Sequence, residues 1–306
     1  MAITLIENFR AVFYGPFYAA EALGAYEREG VEVRIKTSTD PANTMKFLVS
    51  GEGEVSWGGP LRILFARDKD AGASPVAFCE VVGRDPFFIV GRAPLPGFRL
   101  ADLRGKRLAT VSEVPTPWMC LQQDLRLAGV DAASIDRVPD RSMADNVAAL
   151  REGRVDAIQV FEPYVTQLEA EGAGHVWYAA ASRGLTSYTT LNTTRGFLDG
   201  NPGIALGMCR AIVRTQKWIA AHESAALADA VSGYFPSLPA AVLASSFERY
   251  RSLGVWNRTP RLRQEGFDWL RDAALAAGLT RKRIEYQECV DMRFAERAMQ
   301  DDPPSV

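Results

Sequence analysis

The sequence is poor in the residues that build metal sites, disulfide frameworks and acid–base pairs. Its 306 residues include 4 cysteines and 2 histidines. The cysteines are too far apart for a metal-ligand spacing, and each stands among apolar neighbours, at Cys79, Cys120, Cys209 and Cys289. We interpret them as buried free thiols and leave a disulfide open, because sequence alone cannot pair cysteines. We expect no bound metal and no cofactor.

An excess of charge of either sign is also absent. The 35 Lys and Arg side chains nearly balance the 37 Asp and Glu side chains, which gives a formal net charge of −2. This balance excludes the broad basic surface with which proteins bind nucleic acid or acidic membranes. We therefore expect no nucleic-acid partner.

Long apolar runs are missing as well. No stretch approaches the run of about 20 apolar residues that crosses a bilayer. The N-terminus has no basic start, and charges at Glu7 and Arg10 interrupt its first apolar residues, so no export signal is visible. Two locations stay open: the cytoplasm if the sequence is complete as written, or a periplasmic or membrane-associated extracytoplasmic location if a signal was removed.

What is present is an alternation of short apolar runs and segments of helical periodicity, the pattern of a parallel α/β fold. The hydrophobic fraction of 47% is sufficient for a large core. Residues 3–6 and 31–35 are predicted strands on either side of a helix that ends near Gly30. From Pro202 onward the pattern is mostly helical, and residues 301–306 are expected to be disordered.

One short segment occurs twice. Residues 48–55 and 150–157 both contain a helix end, a glycine stop, an acidic residue and the start of a strand. Gly51 and Gly153 are the two stops, and each strand opens on a loop. Two copies of one unit in the two halves of the chain predict two similar lobes.

These segments support a family resemblance. Residues 17–33, FYAAEALGAYEREGVEV, resemble the opening of NMT1/THI5-like substrate-binding proteins, and residues 51–59 and 153–164 resemble that family's two glycine-to-strand passages. The resemblance covers roughly residues 1–200, and the helical remainder more loosely. The opening motif is fairly specific, whereas the other two are informative only in combination.

The resemblance implies the two-lobed type II periplasmic-binding-protein fold, in which each lobe is a mostly parallel sheet flanked by helices. Two crossover strands, near residues 82–92 and 185–194, would join the lobes. Lobe I would comprise residues 1–88 and 192–306 with the C-terminal helices, and lobe II residues 89–191. The implied function is that of a monomeric solute receptor for an ABC importer, with a permease and an ATPase as partners and no catalysis.

In open parallel sheets, ligands bind beyond the carboxyl ends of the strands, where helix N-termini point. Four predicted loops meet that description, at residues 8–17, 57–60, 112–118 and 161–164. They carry rings that stack well on planar ligands, for a gain of roughly 0.5–1.5 kcal/mol per pair beyond burial. Those rings are Phe13, Tyr14, Trp57, Trp118 and Tyr164.

Other candidate ligand contacts are polar or flexible. Gly58 and Gly59 allow close approach of the backbone, and Pro115 and Thr116 stand in the third loop. Arg10 is suited to fork onto a carboxylate or phosphate, and Glu162 to accept from an amino or ring N–H donor. Tyr188, at the second crossover, is a further candidate, and for all of them a structural role is the alternative.

The ligand class stays open between a heteroaromatic similar to the thiamine pyrimidine precursor, an aromatic acid and a sulfonate. Three other functions also stay open: a pyrimidine synthase of the THI5 type, an aromatic-acid decarboxylase or lyase, and a ligand-sensing module. The synthases carry a clustered-cysteine motif that is missing here. His175 and His222 fit structural positions at a strand start and a helix end better than a catalytic role.

Overall fold

Two five-stranded sheets, each covered by helices, organise residues 2–40 and 43–306, the part of the chain that the computed structural model describes. The strands in chain order are β1 (Ile3–Glu7), β2 (Val33–Thr37), β3 (Val55–Gly58), β4 (Pro75–Val82), β5 (Phe88–Gly91), β6 (Arg107–Val111), β7 (Asp136–Arg141), β8 (Ala157–Val160), β9 (His175–Ala179) and β10 (Thr189–Thr194).

The helices flank these sheets and make up most of the C-terminal third. In chain order they are α1 (Gly15–Ala22), α2 (Ala25–Arg28), α3 (Thr44–Ser50), α4 (Leu61–Lys69), α5 (Thr116–Leu127), α6 (Met143–Arg151), α7 (Tyr164–Ala170), α8 (Arg195–Gly200), α9 (Pro202–Ala221), α10 (Ser224–Val231), α11 (Ala240–Ser252), α12 (Gln264–Ala276), α13 (Tyr286–Cys289) and α14 (Arg293–Asp301). Among them, none combines the length and the apolar character that crossing a bilayer requires.

The first sheet has the order β2-β1-β3-β10-β4, in which only β10 runs against its neighbours. Ile3 of β1 lies opposite Val33 of β2, so the second strand begins two residues later than predicted. The N–H of Val31 donates to the carbonyl of Tyr26, which makes Val31 part of the turn that ends the helix.

The second sheet, β7-β6-β8-β5-β9, repeats this arrangement, with β5 as the reversed strand. The repeated segment therefore occupies equivalent places, α3 to β3 in one sheet and α6 to β8 in the other. Gly51 (φ 76°) and Gly153 (φ 72°) both have the left-handed backbone that glycine adopts at low cost. The internal repeat predicted from the sequence is thus confirmed, as is the mixed α/β class.

Strand β7 was not predicted, because its sequence is polar and contains Pro139. It lies at the edge of its sheet, where a proline and charged side chains are tolerated. The predicted helix at residues 41–49 begins at Thr44 in the structure, and its first two residues lie outside the described part of the chain.

The chain passes between the sheets through residues 83–87 and 180–188. Buried ion pairs hold these two crossovers. Arg183 of the second donates to Asp85 of the first at 2.5 Å and to Asp124 of α5 at 2.8 Å, and its guanidinium lies 5.0 Å from the ring centre of Trp269 on α12. The division into lobes at residues 88/89 and 191/192 remains a prediction.

The C-terminal segment is ordered, contrary to expectation. Lys217 on α9 donates to the carbonyl of Pro303 at 2.6 Å, and Arg214 donates to that of Pro304 at 2.9 Å. The four cysteines are buried and free, which confirms their interpretation.

Replacement of Arg183 by Met should lower the free energy of unfolding by about 3–5 kcal/mol, because Asp85 and Asp124 would remain buried without their cation. Urea denaturation followed by circular dichroism measures the loss. Arg154→Met is the matched control: its ion pair with Glu152 is exposed, and we expect an effect within about 1 kcal/mol. Equal losses in the two variants would contradict the role of the buried pairs.

A second prediction concerns Glu80, which is buried on β4 and accepts a hydrogen bond from Asn257 at 2.6 Å. Burial raises the pKa of Glu80 to about 7, from 4.5. The folded state therefore holds this proton more tightly than the unfolded chain does, and stability that is complete below pH 4.5 falls as the pH rises through 7.

The substitution Glu80→Gln removes that titration. We expect it to be more stable than the wild type at pH 8 by up to roughly 3 kcal/mol, with the difference vanishing near pH 4. Thermal unfolding at both pH values measures it, with the exposed Glu52→Gln as the control. A constant offset between wild type and Glu80→Gln across this range would contradict the assignment.

Candidate ligand-binding site

Loops from both sheets enclose a cleft of about 660 Å³. They are the loops after β1, β6 and β8, joined by residues 234–238 between α10 and α11. We call this space the outer cleft; its lining residues are Phe9, Arg10, Ala11, Val12, Glu113, Val114, Met143, Phe161, Glu162, Pro163, Tyr164, Gln167, Tyr234, Phe235, Pro236, Ser237 and Leu238.

A smaller inner cavity of about 20 Å³ lies deeper between the sheets. It has room for about one water molecule. Its walls come from the loops after β1, β3 and β6 and from both crossovers, and they consist of Asn8, Phe9, Phe13, Tyr14, Gly59, Arg62, Phe87, Val114, Thr116 and Tyr188. Phe9 and Val114 line both spaces, so their side chains form the partition between the inner cavity and the outer cleft.

The structure brings most of the predicted site residues to these two spaces. Five line the inner cavity: Phe13, Tyr14, Gly59, Thr116 and Tyr188. Three line the outer cleft: Arg10, Glu162 and Tyr164. Contact of any of them with a ligand remains a prediction.

Trp57 is a correction to the predicted site. Its ring is fully buried and stacks on Phe17, with ring centres 4.9 Å apart and an interplanar angle of 12°. Tyr18 approaches its edge at 5.4 Å. Because β3 is an interior strand, the ring fills the core under α1 and lies behind Tyr14 rather than at the cavity wall.

Three further predicted residues line neither space. The Gly58 carbonyl accepts from Thr190 in the sheet at 3.2 Å, and a Cβ at Gly58 would lie 2.6 Å from Asn8 Nδ2, so its missing side chain makes room for Asn8. Pro115 is exposed at the start of α5. Trp118 lies under the guanidinium of Arg137, 4.3 Å from its ring centre, on the side of α5 that faces β7.

Arg10 is engaged within the protein. Its Nη2 and Nε donate to Glu7 Oε1 at 2.7 and 3.1 Å, and its Nη1 donates to the Tyr234 carbonyl at 3.0 Å. Glu7 is completely buried and also accepts from Tyr18 at 2.6 Å. Arg10 thus makes with Glu7 the two-pronged contact that was predicted for a ligand carboxylate. Through the Tyr234 carbonyl it also holds residues 234–238 at the rim of the outer cleft.

Glu162 lines the outer cleft but is engaged within the protein, as Arg10 is. Its Oε1 accepts from Arg249 Nε at 2.6 Å, and its two oxygens accept from the hydroxyl and the N–H of Thr166, each at 2.9 Å. Burial raises the pKa of Glu162, while Thr166 and Arg249 act against that rise. The carboxylate therefore ties α11 to the loop after β8, and its contact with a ligand donor remains a prediction.

Sequence reasoning missed residues 234–238 because it searched only the loops that follow strands. It also missed Asn8 and Arg62 as site residues, although Asn8 is the first residue of a predicted loop, directly after β1, and Arg62 stands in the first turn of α4, just beyond another predicted loop. An asparagine directly after β1 and an arginine shortly after the pair Gly58-Gly59 were the sequence features that could have identified them. Within the described residues, no cluster of His, Cys, Asp or Glu has the geometry to hold a metal ion.

Two mostly parallel sheets joined by two crossovers, with a ring-lined cleft between them, define the two-lobed binding-protein class. The chain belongs to the NMT1/THI5-like family, whose model matches residues 13–226. The aliphatic sulphonate binding protein SsuA from Escherichia coli has the same fold, with a TM-score of 0.75 at 18% identity over 94% of this chain and 96% of that one. The predicted two-lobed fold class is thereby confirmed.

Two sequence relatives match different shares of this chain. "Putative binding protein YtlA" of Bacillus subtilis (strain 168) is 25% identical over 297 residues, which are 96% of this chain and 89% of YtlA. The 4-amino-5-hydroxymethyl-2-methylpyrimidine phosphate synthase of Schizosaccharomyces pombe is 31% identical over 115 residues, 36% of this chain and 32% of the synthase. The sequence relative that extends over nearly the whole chain is named as a binding protein, in agreement with the expectation that this chain is not an enzyme. The desulfurization enzyme DSZB also has this fold, with a TM-score of 0.69 at 14% identity over 99% of both chains.

Trp57→Phe should reduce stability by more than about 1 kcal/mol, because it leaves a void in a packed ring cluster. Its Nε1 has no hydrogen-bond partner among the described residues, so the loss reports packing. Trp118→Phe is the control, since Trp118 is partly exposed, and should cost less than half as much. Urea denaturation of both variants tests this; a Trp57→Phe as stable as the wild type would contradict the assignment of Trp57 to the core.

Proposed function

We propose that this protein is the solute-binding component of an ABC importer and that it captures a small planar organic molecule between its two sheets. The observation that carries the proposal is the ring-lined space formed jointly by loops of both sheets. In this proposal the protein acts as an extracytoplasmic monomer that delivers its ligand to a permease driven by an ATPase. SsuA, which shares the fold, is named a periplasmic aliphatic sulphonate binding protein.

The rings favour a flat ligand. Phe9 and Phe161 are nearly parallel across the outer cleft, with an interplanar angle of 8° and ring centres 6.3 Å apart. Tyr164 lies beside Phe161, with ring centres at 6.3 Å. Because one of these loops follows β1 and the other follows β8, a planar ligand that packs against this ring pair would contact both sheets at once.

The ligand we propose is a nitrogen heteroaromatic similar to the thiamine pyrimidine precursor, or an aromatic acid. The partial likeness to a pyrimidine phosphate synthase supports the first class. Neither space contains a histidine or cysteine among its described lining residues, and His222 stacks on Trp218 with its Nδ1 2.8 Å from the Trp218 carbonyl oxygen. Binding without turnover fits this lining.

A thermal-shift screen tests the proposal. The probes are 4-amino-5-hydroxymethyl-2-methylpyrimidine, benzoate, benzenesulfonate and benzamide, with glucose as a non-planar control. At 100 times its dissociation constant a bound probe adds about 2.7 kcal/mol to the unfolding free energy, which raises the melting temperature by several degrees. No shift with any planar probe, or an equal shift with glucose, would contradict the proposal.

Tyr164→Ala then tests the site. We expect it to weaken binding of the best probe by about tenfold through loss of ring contact, measured by titration calorimetry. Trp118→Ala removes a ring that lines neither space and should leave the affinity within about twofold. Unchanged affinity in Tyr164→Ala would place the ligand elsewhere.

A further inference from the structure

The C-terminal helices α11 and α12 hold the second sheet from both of its faces. Ile89 of β5 packs in one apolar cluster with Leu121 of α5, and its neighbour Val90 packs in another cluster with Val165 of α7. Because successive residues of a strand point to opposite faces of the sheet, α5 and α7 cover opposite faces. Helix α12 packs against α5, and α11 packs against α7, so the second sheet lies between the two C-terminal helices.

The same two helices are attached to the first sheet. Helix α12 also packs against α4. On α11, Phe247 lies so close to α1 that a Cβ at Gly15 would be 2.7 Å from its ring. Just past α11, Trp256 Nε1 donates to the Phe13 carbonyl at 2.9 Å. A change in the angle between the two sheets must therefore alter the contact of α7 with α11 or that of α5 with α12.

The contact between α5 and α12 is made by small and uncharged groups. Ala273 and Ala277 of α12 meet Gln122 of α5 around a cavity of about 210 Å³. Arg271 on α12 pairs with Asp268 and Asp272 of its own helix. Within the described residues, no ion pair or side-chain hydrogen bond joins α12 to α5. Packed helices of this kind can slide past each other in small steps.

The contact between α7 and α11 is polar instead. Arg249 of α11 donates to the completely buried Glu162 at 2.6 Å and also to Glu169 on α7. The Tyr250 hydroxyl accepts from the Glu162 N–H at 2.9 Å, and the Arg249 guanidinium lies 6.0 Å from the ring centre of Phe88 on β5. Separation of α7 from α11 would leave buried groups of Glu162 without these partners, at a large cost in free energy.

We propose that Arg249 is a latch between the two halves of the molecule: with Glu162 and Glu169 it sets the angle between the two sheets, and the cleft opens when this contact breaks. The contact between α5 and α12 accommodates the change by sliding. The latch goes beyond the proposed function, because it belongs to the fold and does not depend on which ligand the cleft binds.

Pulsed electron spin resonance on spin-labelled protein, without added ligand, tests the latch. Val49 near the end of α3 and Leu127 at the end of α5 are 64% and 63% exposed and lie on helices of different sheets. The four native thiols are buried, so Val49→Cys and Leu127→Cys take the labels. Thr116, at the other end of α5, lines the inner cavity. The label at position 127 is therefore remote from the cavity, and the label distance is sensitive to the angle between the sheets.

We expect one narrow distance distribution in the doubly labelled protein that retains Arg249. In Arg249→Met, a second distance should have a population at least about fivefold larger. The double variant Glu162→Gln/Arg249→Met removes both charges, leaves no buried carboxylate unpaired and should show the same second distance. Circular dichroism checks folding, and the double variant decides if Arg249→Met does not fold or if the two disagree.

Arg151→Met is the matched control. Arg151 donates to Glu171 at 2.9 and 2.8 Å, and both residues belong to the half built on the second sheet, so the label distance should not change. An unaltered distribution in the double variant, or an equal change in Arg151→Met, would overturn the latch. Since no ligand is added, neither result bears on the proposed function.

Discussion

The buried guanidinium of Arg183 holds the two crossovers in place. Its partners are Asp85 in the first crossover and Asp124 on α5, and all three side chains are at most 6% exposed. Separation of such charges leaves each buried without compensation, at a large cost in free energy. Phe87, whose N–H donates to Asp85 at 2.9 Å, and Tyr188, a few residues past Arg183, are thereby fixed at the inner cavity. The position of the inner cavity therefore depends on buried ion pairs whose members line neither the inner cavity nor the outer cleft.

Other buried carboxylates near the outer cleft are likewise compensated by a guanidinium group. Glu7 is compensated by Arg10, and Glu162 by Arg249, so these buried carboxylates hold loops and α11 in position. The Glu162–Arg249 pair joins the loop after β8 to α11, whereas Arg10, three residues after Glu7, reaches residues 234–238 through the Tyr234 carbonyl. Arg62 is the charged side chain among the described residues that line the inner cavity.

Much of the fold was predictable because it follows from local patterns. The glycine stops at Gly51 and Gly153 and the strands after them have equivalent places in the two sheets, as the repeated segment indicated. For the candidate site, the sequence predicted the loops that form it but not which side chains line it. Trp57 was misassigned because a ring before two glycines is found both at cavity walls and in cores, and only the pairing of β3 between β1 and β10 decides between them. Residues 234–238 gave no signal, since no strand precedes them.

By itself the sequence determined the α/β class, the twofold repeat and the loops that surround the two spaces. These properties depend on composition and on spacings of a few residues. The tertiary structure decided which polar groups are paired within the protein and which line a cavity. Glu162 and Arg249 are 87 residues apart in the chain and 2.6 Å apart in space. Such a pair depends on how helices pack onto sheets, and no local pattern of residues specifies it.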